Sequence, residues 1–378
     1  MRDWLKRLLA ELEEHIDLEH ARQVEALHLA TIHYQPVPRL PLAVDYPLEE
    51  PFVRFPYGEA YEDPEKMLFN ELLWSFGSIY QSVRLKDDFP WHIRANYGLG
   101  IIASLFGAEC RILNDSMPWV EPLADARAIE KIVAEGLPPF HRGLGRRVVE
   151  AYQFFRETLS AYPRCAQAIR LSQPDLQGPF DIAHLLIGAE IFYWAYDRAA
   201  LLHALLDLIT ETYIAFRRYL DPLLNDRAGD DAVYVHGGIF GGKVLIKDDT
   251  AAINLSPELY DAFSRPYNER ILATFGGGSL HYCGPARPWH NNSLHSPFLR
   301  GLNYGNPELQ DLSDLYRAWS PRRVALVWWG CGQGPEILEP VYSTRISTGI
   351  TLTCHAQNQA EAQAILSRHR ERKSAPVM

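Results

Sequence analysis

With 47% hydrophobic and 22% charged residues over 378 positions, the chain has the make-up of a folded protein long enough to bury a large core, which excludes a disordered chain. Its formal net charge of −10 argues against a general nucleic-acid binder, whose surface would be basic. Cys110, Cys165, Cys283, Cys331 and Cys354 are odd in number and irregularly spaced, which fits a reducing cytoplasm with free thiols rather than a disulfide framework.

The first residues carry a basic start but meet Glu11, Glu13 and Glu14 before an apolar core develops, so they do not read as a secretory signal. No run reaches the roughly 18 uncharged apolar residues that span a bilayer. To about residue 32 the pattern is amphipathic helix, with Trp4, Leu5, Leu8, Leu9 and Leu12 forming the apolar stripe. The segment 35–56, rich in proline and aromatics, reads as an ordered wrapping stretch. Asp63-Pro64-Glu65 supplies a cap, a first-turn proline and an acid, and Leu68, Leu72, Phe76 and Ile79 follow at helical spacing. Residues 1–88 are therefore expected to form a helical extension, with area for packing or for a homodimer interface.

From residue 89 to 378 short apolar runs alternate with helices, the pattern of a parallel sheet or barrel. The strand candidates are Trp91–Tyr97, Glu109–Leu113, Gln167–Leu171, Lys243–Lys247, Leu280–Cys283, Arg300–Tyr304, Arg323–Trp329 and Ile350–Cys354. Eight such runs predict an α/β fold, a (β/α)8 TIM barrel. Two helices are legible between and after them. Ser256-Pro257-Glu258 opens one with Leu259, Phe263, Tyr267, Ile271 and Phe275 four apart; Asn358 with Glu361 opens the last. Gly237-Gly238 and Gly241-Gly242 lack the strand, lysine and helix order of a phosphate loop and read as a loop or hairpin.

In such a barrel chemistry sits where the strands end. Strand ends supply Asn96, Gln177, Asp248, Asp249, Tyr304 and Trp329 as candidate site residues, the two aspartates as acids and the other four as cofactor contacts. His281 and Cys283, two apart on a strand, share one face and offer two soft ligands to one spot. Cys354, 71 positions after Cys283 and also at a strand end, is the expected third ligand of a zinc with one open position, the pattern of a catalytic rather than a structural site. Cys331, between two glycines, competes for that place. His290 and His295 fall in the loop that follows and are read as solvated.

Several stretches together resemble the uroporphyrinogen decarboxylase superfamily, and within it the cobamide-dependent methyltransferases. They are Gln177-Gly178-Pro179-Phe180-Asp181-Ile182-Ala183, Lys247-Asp248-Asp249 running into Leu255-Ser256-Pro257-Glu258-Leu259-Tyr260, Ser279-Leu280-His281-Tyr282-Cys283-Gly284, and the final strand with Cys354. The arginine-rich Arg-Gln-Ala-Gly-Arg segment with which the decarboxylases grip carboxylates has no counterpart here, which disfavours porphyrinogen decarboxylation. The resemblance implies a zinc-dependent transfer of a methyl group between a corrinoid and a thiol. It implies too that the corrinoid, a methylcobamide, arrives on a separate small protein, since no corrinoid-binding segment stands out in this sequence. The rival expectations are a lyase on the same scaffold with Asp248 or Asp249 as the acid, and a non-catalytic barrel that binds a tetrapyrrole.

Overall fold

The computed structural model describes residues 1–48, 51–113, 115–123, 125–285 and 295–372; His290 lies outside them. In chain order the strands are β1 (Leu42–Asp45), β2 (His92–Ile93), β3 (Glu109–Arg111), β4 (Trp119–Glu121), β5 (Arg170–Leu171), β6 (Arg227–Ala228), β7 (Ala232–Val235), β8 (Gly238–Gly241), β9 (Leu245–Lys247), β10 (Gly278–Tyr282), β11 (Leu299–Tyr304), β12 (Ala325–Trp329) and β13 (Ile350–His355).

Six of them form one parallel sheet in the order β1-β13-β12-β11-β10-β9, and β2 with β5 forms a separate parallel pair. Single backbone bonds stitch the two together. Asp88 N–H donates to Leu42 O at 3.0 Å, Lys247 N–H to Leu176 O at 3.3 Å, and Gln177 bridges to Lys247. The strands are nearly all apolar and buried on both faces, as parallel strands covered by helices must be.

Seven of the expected strands are present; Glu109–Leu113 belongs elsewhere. Its residues 109–111 pair antiparallel with β4 in a small hairpin away from the main sheet. The place at the sheet edge is taken by β1, inside the segment expected to be helical, where Leu42 to Asp45 pair in register with Leu352 to His355. Four residues between prolines carry too little periodicity to stand out.

Two expected helices are broken, each for a local reason. The run from Asp63 ends at Leu73, and a new helix, Ile79–Leu85, starts from Ser78, whose hydroxyl accepts Gln81 N–H. The interruption frees Phe76 from the helical stripe. Further on, Pro257–Phe263 and Arg265–Thr274 are separate helices joined at Ser264. Pro266 has no N–H to give to the turn before it, so the chain restarts with proline in its first turn. The last helix, Gln359–Glu371, has Asn358 accepting Glu361 N–H at 3.0 Å and Glu361 accepting Gln357 N–H at 2.6 Å, a nearly reciprocal cap.

The glycine-rich stretch is a hairpin. β6, β7 and β8 form an antiparallel ribbon, β7 and β8 wholly buried, and β8 packs against β10, β11 and β12. Its two-residue tip is His236 (φ 48°) and Gly237 (φ 82°), both left-handed as a tight hairpin of matching twist requires. Gly237 N–H donates to His92 Nε2 at 3.2 Å, and a Cβ on Gly237 would lie 2.6 Å from the Trp328 ring.

Among the described residues one helix, Ala199–Leu220, is long and apolar enough to cross a membrane by composition, yet half of its most apolar window is buried within the protein. It carries Arg217, fully buried and ion-paired to Asp226 at 2.8 Å and to Asp221.

Candidate metal centre

The site is built on the ends of β9, β10 and β11. Parallel pairing sets His281 opposite Lys247 on one side and Asn303 on the other, and Gln177 opposite Lys247. Residues in register on neighbouring strands point to the same face, so these four polar side chains form one row across an otherwise apolar sheet.

His281 is oriented through its Nδ1. Its Nδ1 lies 2.6 Å from Asn303 Oδ1, and Asn303 Nδ2 is committed as donor to Val327 O at 2.7 Å. Asn303 therefore offers only its oxygen, Nδ1 of His281 carries the proton, and Nε2 keeps its lone pair. That lone-pair nitrogen sits 3.7 Å from Cys283 Sγ and 3.6 Å from Asp249 Oδ1. Asp249, first residue of the short helix Asp249–Asn254, also accepts Cys283 N–H at 2.6 Å. One imidazole, one sulfur and one carboxylate oxygen thus lie within 4.8 Å of one another.

The electrostatics suit a cation. Burial, then the negative charge of Asp249, pushes the Cys283 thiol up to about 12, so without a cation it holds its proton at neutral pH. Burial also lowers His281, against the pull of Asp249, keeping the ring neutral and its Nε2 available.

Cys354 does not join this group. It is fully buried on β13 opposite Val44, and its ionisable neighbours are Asp45, Asp87, Glu336 and Glu361. Strand alternation explains the displacement: Thr353 borders the crevice with Trp328 and Phe89, so Cys354 faces the other way, and His355 returns to pair with Asp45 at 2.7 Å. The third atom beside those of His281 and Cys283 is instead a carboxylate oxygen of Asp249. Cys331 acts electrostatically on the Cys283 thiol.

The neighbouring aspartates divide by environment. Asp248 is fully buried, accepting Tyr260 O–H at 2.8 Å and Ser264 O–H at 3.1 and 3.2 Å. It braces the helices after β9 and does not reach the metal-ligand group. Beside it, burial together with the charges of Asp248 and Asp249 raises Asp181 far above the carboxylate range, so Asp181 keeps its proton while accepting Thr250 N–H.

Of the four expected cofactor contacts, Gln177 belongs to the polar row and its buried Nε2 has no hydrogen-bond partner. Asn96 donates to Glu71 at 2.9 Å near the end of β2. Tyr304 and Trp329 are buried against each other, ring centroids 6.1 Å apart, with Tyr282 5.0 Å from Tyr304. Alternation along β11 turns Tyr304 to the face opposite Asn303, so both aromatics pack away from His281.

Lys247 of the row and Arg94 both ion-pair with Asp175, all three nearly inaccessible. Burial would raise the Asp175 carboxyl, but the two cations outweigh it and hold it below its ordinary value. Phe76 lies 4.2 Å from the Arg94 guanidinium and 5.5 Å from Lys247 Nζ, and His236 stands between Phe76 and His281. Sequence reasoning passed over Arg94, Asp175 and His236. A charge inside the expected strand Trp91–Tyr97 was the available signal for Arg94.

No protein-family model matches the chain, and no curated protein matches it by sequence. In structure it is similar to a methyltransferase from Methanosarcina mazei. The likeness has a TM-score of 0.59 at 18% identity and covers 92% of this chain and 98% of that one. At that identity it establishes the fold: a mixed α/β architecture around a central parallel sheet.

Proposed function

We propose that the chain is a methyltransferase that works at a zinc ion held by Asp249, His281 and Cys283, with a methylated corrinoid as donor and a thiol as acceptor. The observation that carries the reading is the convergence of three metal-ligating atoms at strand ends, with His281 Nε2 3.6 and 3.7 Å from its two neighbours. Tetrahedral zinc spaces nitrogen, oxygen and sulfur ligands roughly 3.4–3.6 Å apart, close to the spacing of His281 Nε2 from both of its partners. The donor types fit as well, because a borderline-soft cation takes imidazole, thiolate and carboxylate together.

Bound there, zinc would supply Lewis acidity, lowering the pKa of a coordinated thiol and holding its sulfur for attack on a methyl group. The chain's own residues do the rest. Asn303 fixes the His281 tautomer, Asp249 orients Cys283 through its backbone N–H, and the apolar sheet keeps bulk water from the row behind them. The fold shared with a methyltransferase supports this reading. Closure of the six strands with β2 and β5 into a (β/α)8 barrel belongs to the same proposal, supported by the backbone bonds at Leu42, Leu176 and Gln177. We further propose a small corrinoid-carrying protein as partner and a cytoplasmic location, the latter on five free thiols.

The test is metal analysis followed by turnover. The purified chain should carry about one zinc per molecule. Methylcobalamin mixed with zinc-loaded protein and a panel of thiols should lose its methyl group at a rate that Cys283→Ser abolishes. A zinc-free protein, or a methylcobalamin spectrum unchanged by every thiol, would end this reading.

A further inference from the structure

We propose that the cavity between the segment 54–75 and the end of β2 binds a small planar acid carrying a second, hydrogen-bond-donating group. As the pocket for the methyl acceptor, it rests on the function proposed above; as a binding site, it stands on its own residues.

The cavity has a volume of about 210 Å³, room for a molecule of one ring and far too little for a corrinoid. Its walls are aromatic: Tyr57, Tyr61 and Trp74, with the thioethers of Met67 and Met117 between them. Flat walls with adaptable sulfur-bearing neighbours favour a flat apolar body. Two arginines line the same space. Arg54 is exposed at the rim, its guanidinium 5.9 Å from the Trp74 ring, and Arg94 is only 7% exposed at the floor.

The floor is where polar groups are left over. Arg94 gives Nη1 to Asp175, but its Nε, shut off from solvent, has no hydrogen-bond partner. Asn96 gives Nδ2 to Glu71, and its Oδ1 is likewise buried and unpartnered. Glu71, the one acid on this cavity, is occupied by Asn96 and by Arg94 N–H. An orphaned guanidinium donor asks for an anionic oxygen and an orphaned amide oxygen asks for an O–H or N–H, which together specify an acid with a second donor.

The position links this cavity to the metal centre. Arg94 shares Asp175 with Lys247, and Lys247 is the register partner of His281. Phe76 lies over both cations, and His236 follows it toward His281.

The experiment is a calorimetric and tryptophan-fluorescence titration of the whole chain with 4-hydroxybenzoate, benzoate and benzylamine as probes. The expected result is saturable binding of 4-hydroxybenzoate, weaker binding of benzoate, and none of benzylamine. Arg94→Gln and Trp74→Leu should each weaken 4-hydroxybenzoate about tenfold or more, and Asn96→Ala should abolish its advantage over benzoate. Because Arg94→Gln disturbs a buried ion cluster and could unfold the chain, Trp74→Leu and Asn96→Ala carry the test if it does. Cys283→Ser should lose zinc and bind the acid as before, which separates this cavity from the metal centre. Absence of binding at about 10 mM acid, equal binding of benzylamine, unchanged affinity in both Trp74→Leu and Asn96→Ala, or loss of the acid together with the metal would each overturn the proposal.

Discussion

His236 rests its imidazole on that of His281, ring centroids 4.1 Å apart and planes tilted by 53°, from the tip of a hairpin that enters beneath the sheet. The contact ties the ribbon that precedes β9 to the imidazole of the candidate metal centre. His236→Ala should leave that ring free to tilt and lower zinc affinity about 10–100-fold, as loss of groups that orient ligands generally does. Competition with a chromophoric chelator reads this directly. The backbone at 236 is left-handed, so His236→Gly should be more stable than His236→Ala by about 1 kcal/mol with the same loss of affinity.

Cys283→Ser and Asp249→Asn are each expected to release the metal, whereas Cys354→Ser is expected to keep it. Elemental analysis of the three variants decides between a centre completed by Asp249 and one completed by Cys354. Retention in Asp249→Asn with loss in Cys354→Ser would reverse the assignment.

Asp175 neutralises two buried cations, and removing its charge leaves both uncompensated. Asp175→Asn should cost about 3–5 kcal/mol of stability in urea unfolding, and adding Lys247→Met should restore part of it.

Asp181 makes the stability depend on pH. Its folded-state carboxyl is raised, so above about pH 4 the folded chain holds a proton that the unfolded chain has released. Stability from this group is therefore fully present below the unfolded value and falls as pH rises, by up to about 1.4 kcal/mol per unit while the difference lasts. Asp181→Asn should remove that slope, visible as a flatter profile of thermal midpoint against pH from mildly acidic to neutral conditions.

The sheet was readable because its strands are short apolar runs punctuated by glycine and proline, and the pairing of His281 with Cys283 followed from a two-residue period that no tertiary detail can alter. Distance across the fold was not readable. Whether Cys354 or Asp249 faces His281 depends on which way one strand end is turned, and a shift of a single residue inverts the answer. β1 escaped notice because Leu42-Ala43-Val44 is recognisable only beside its partner β13. Arg94 and Asp175 make sense only as a pair brought together over 81 positions. The helix that dissolves at Trp74 shows the same limit: Phe76 keeps perfect helical spacing in the sequence and leaves the helix to sit against two cations.

Pairing of β1 with β13 joins residues 42–45 to residues 352–355. During synthesis the amino-terminal strand must wait, one edge unmatched, until nearly the whole chain has left the ribosome. Folding should accordingly be slow, and a chain stopped before β13 should yield an aggregating product rather than a smaller folded one.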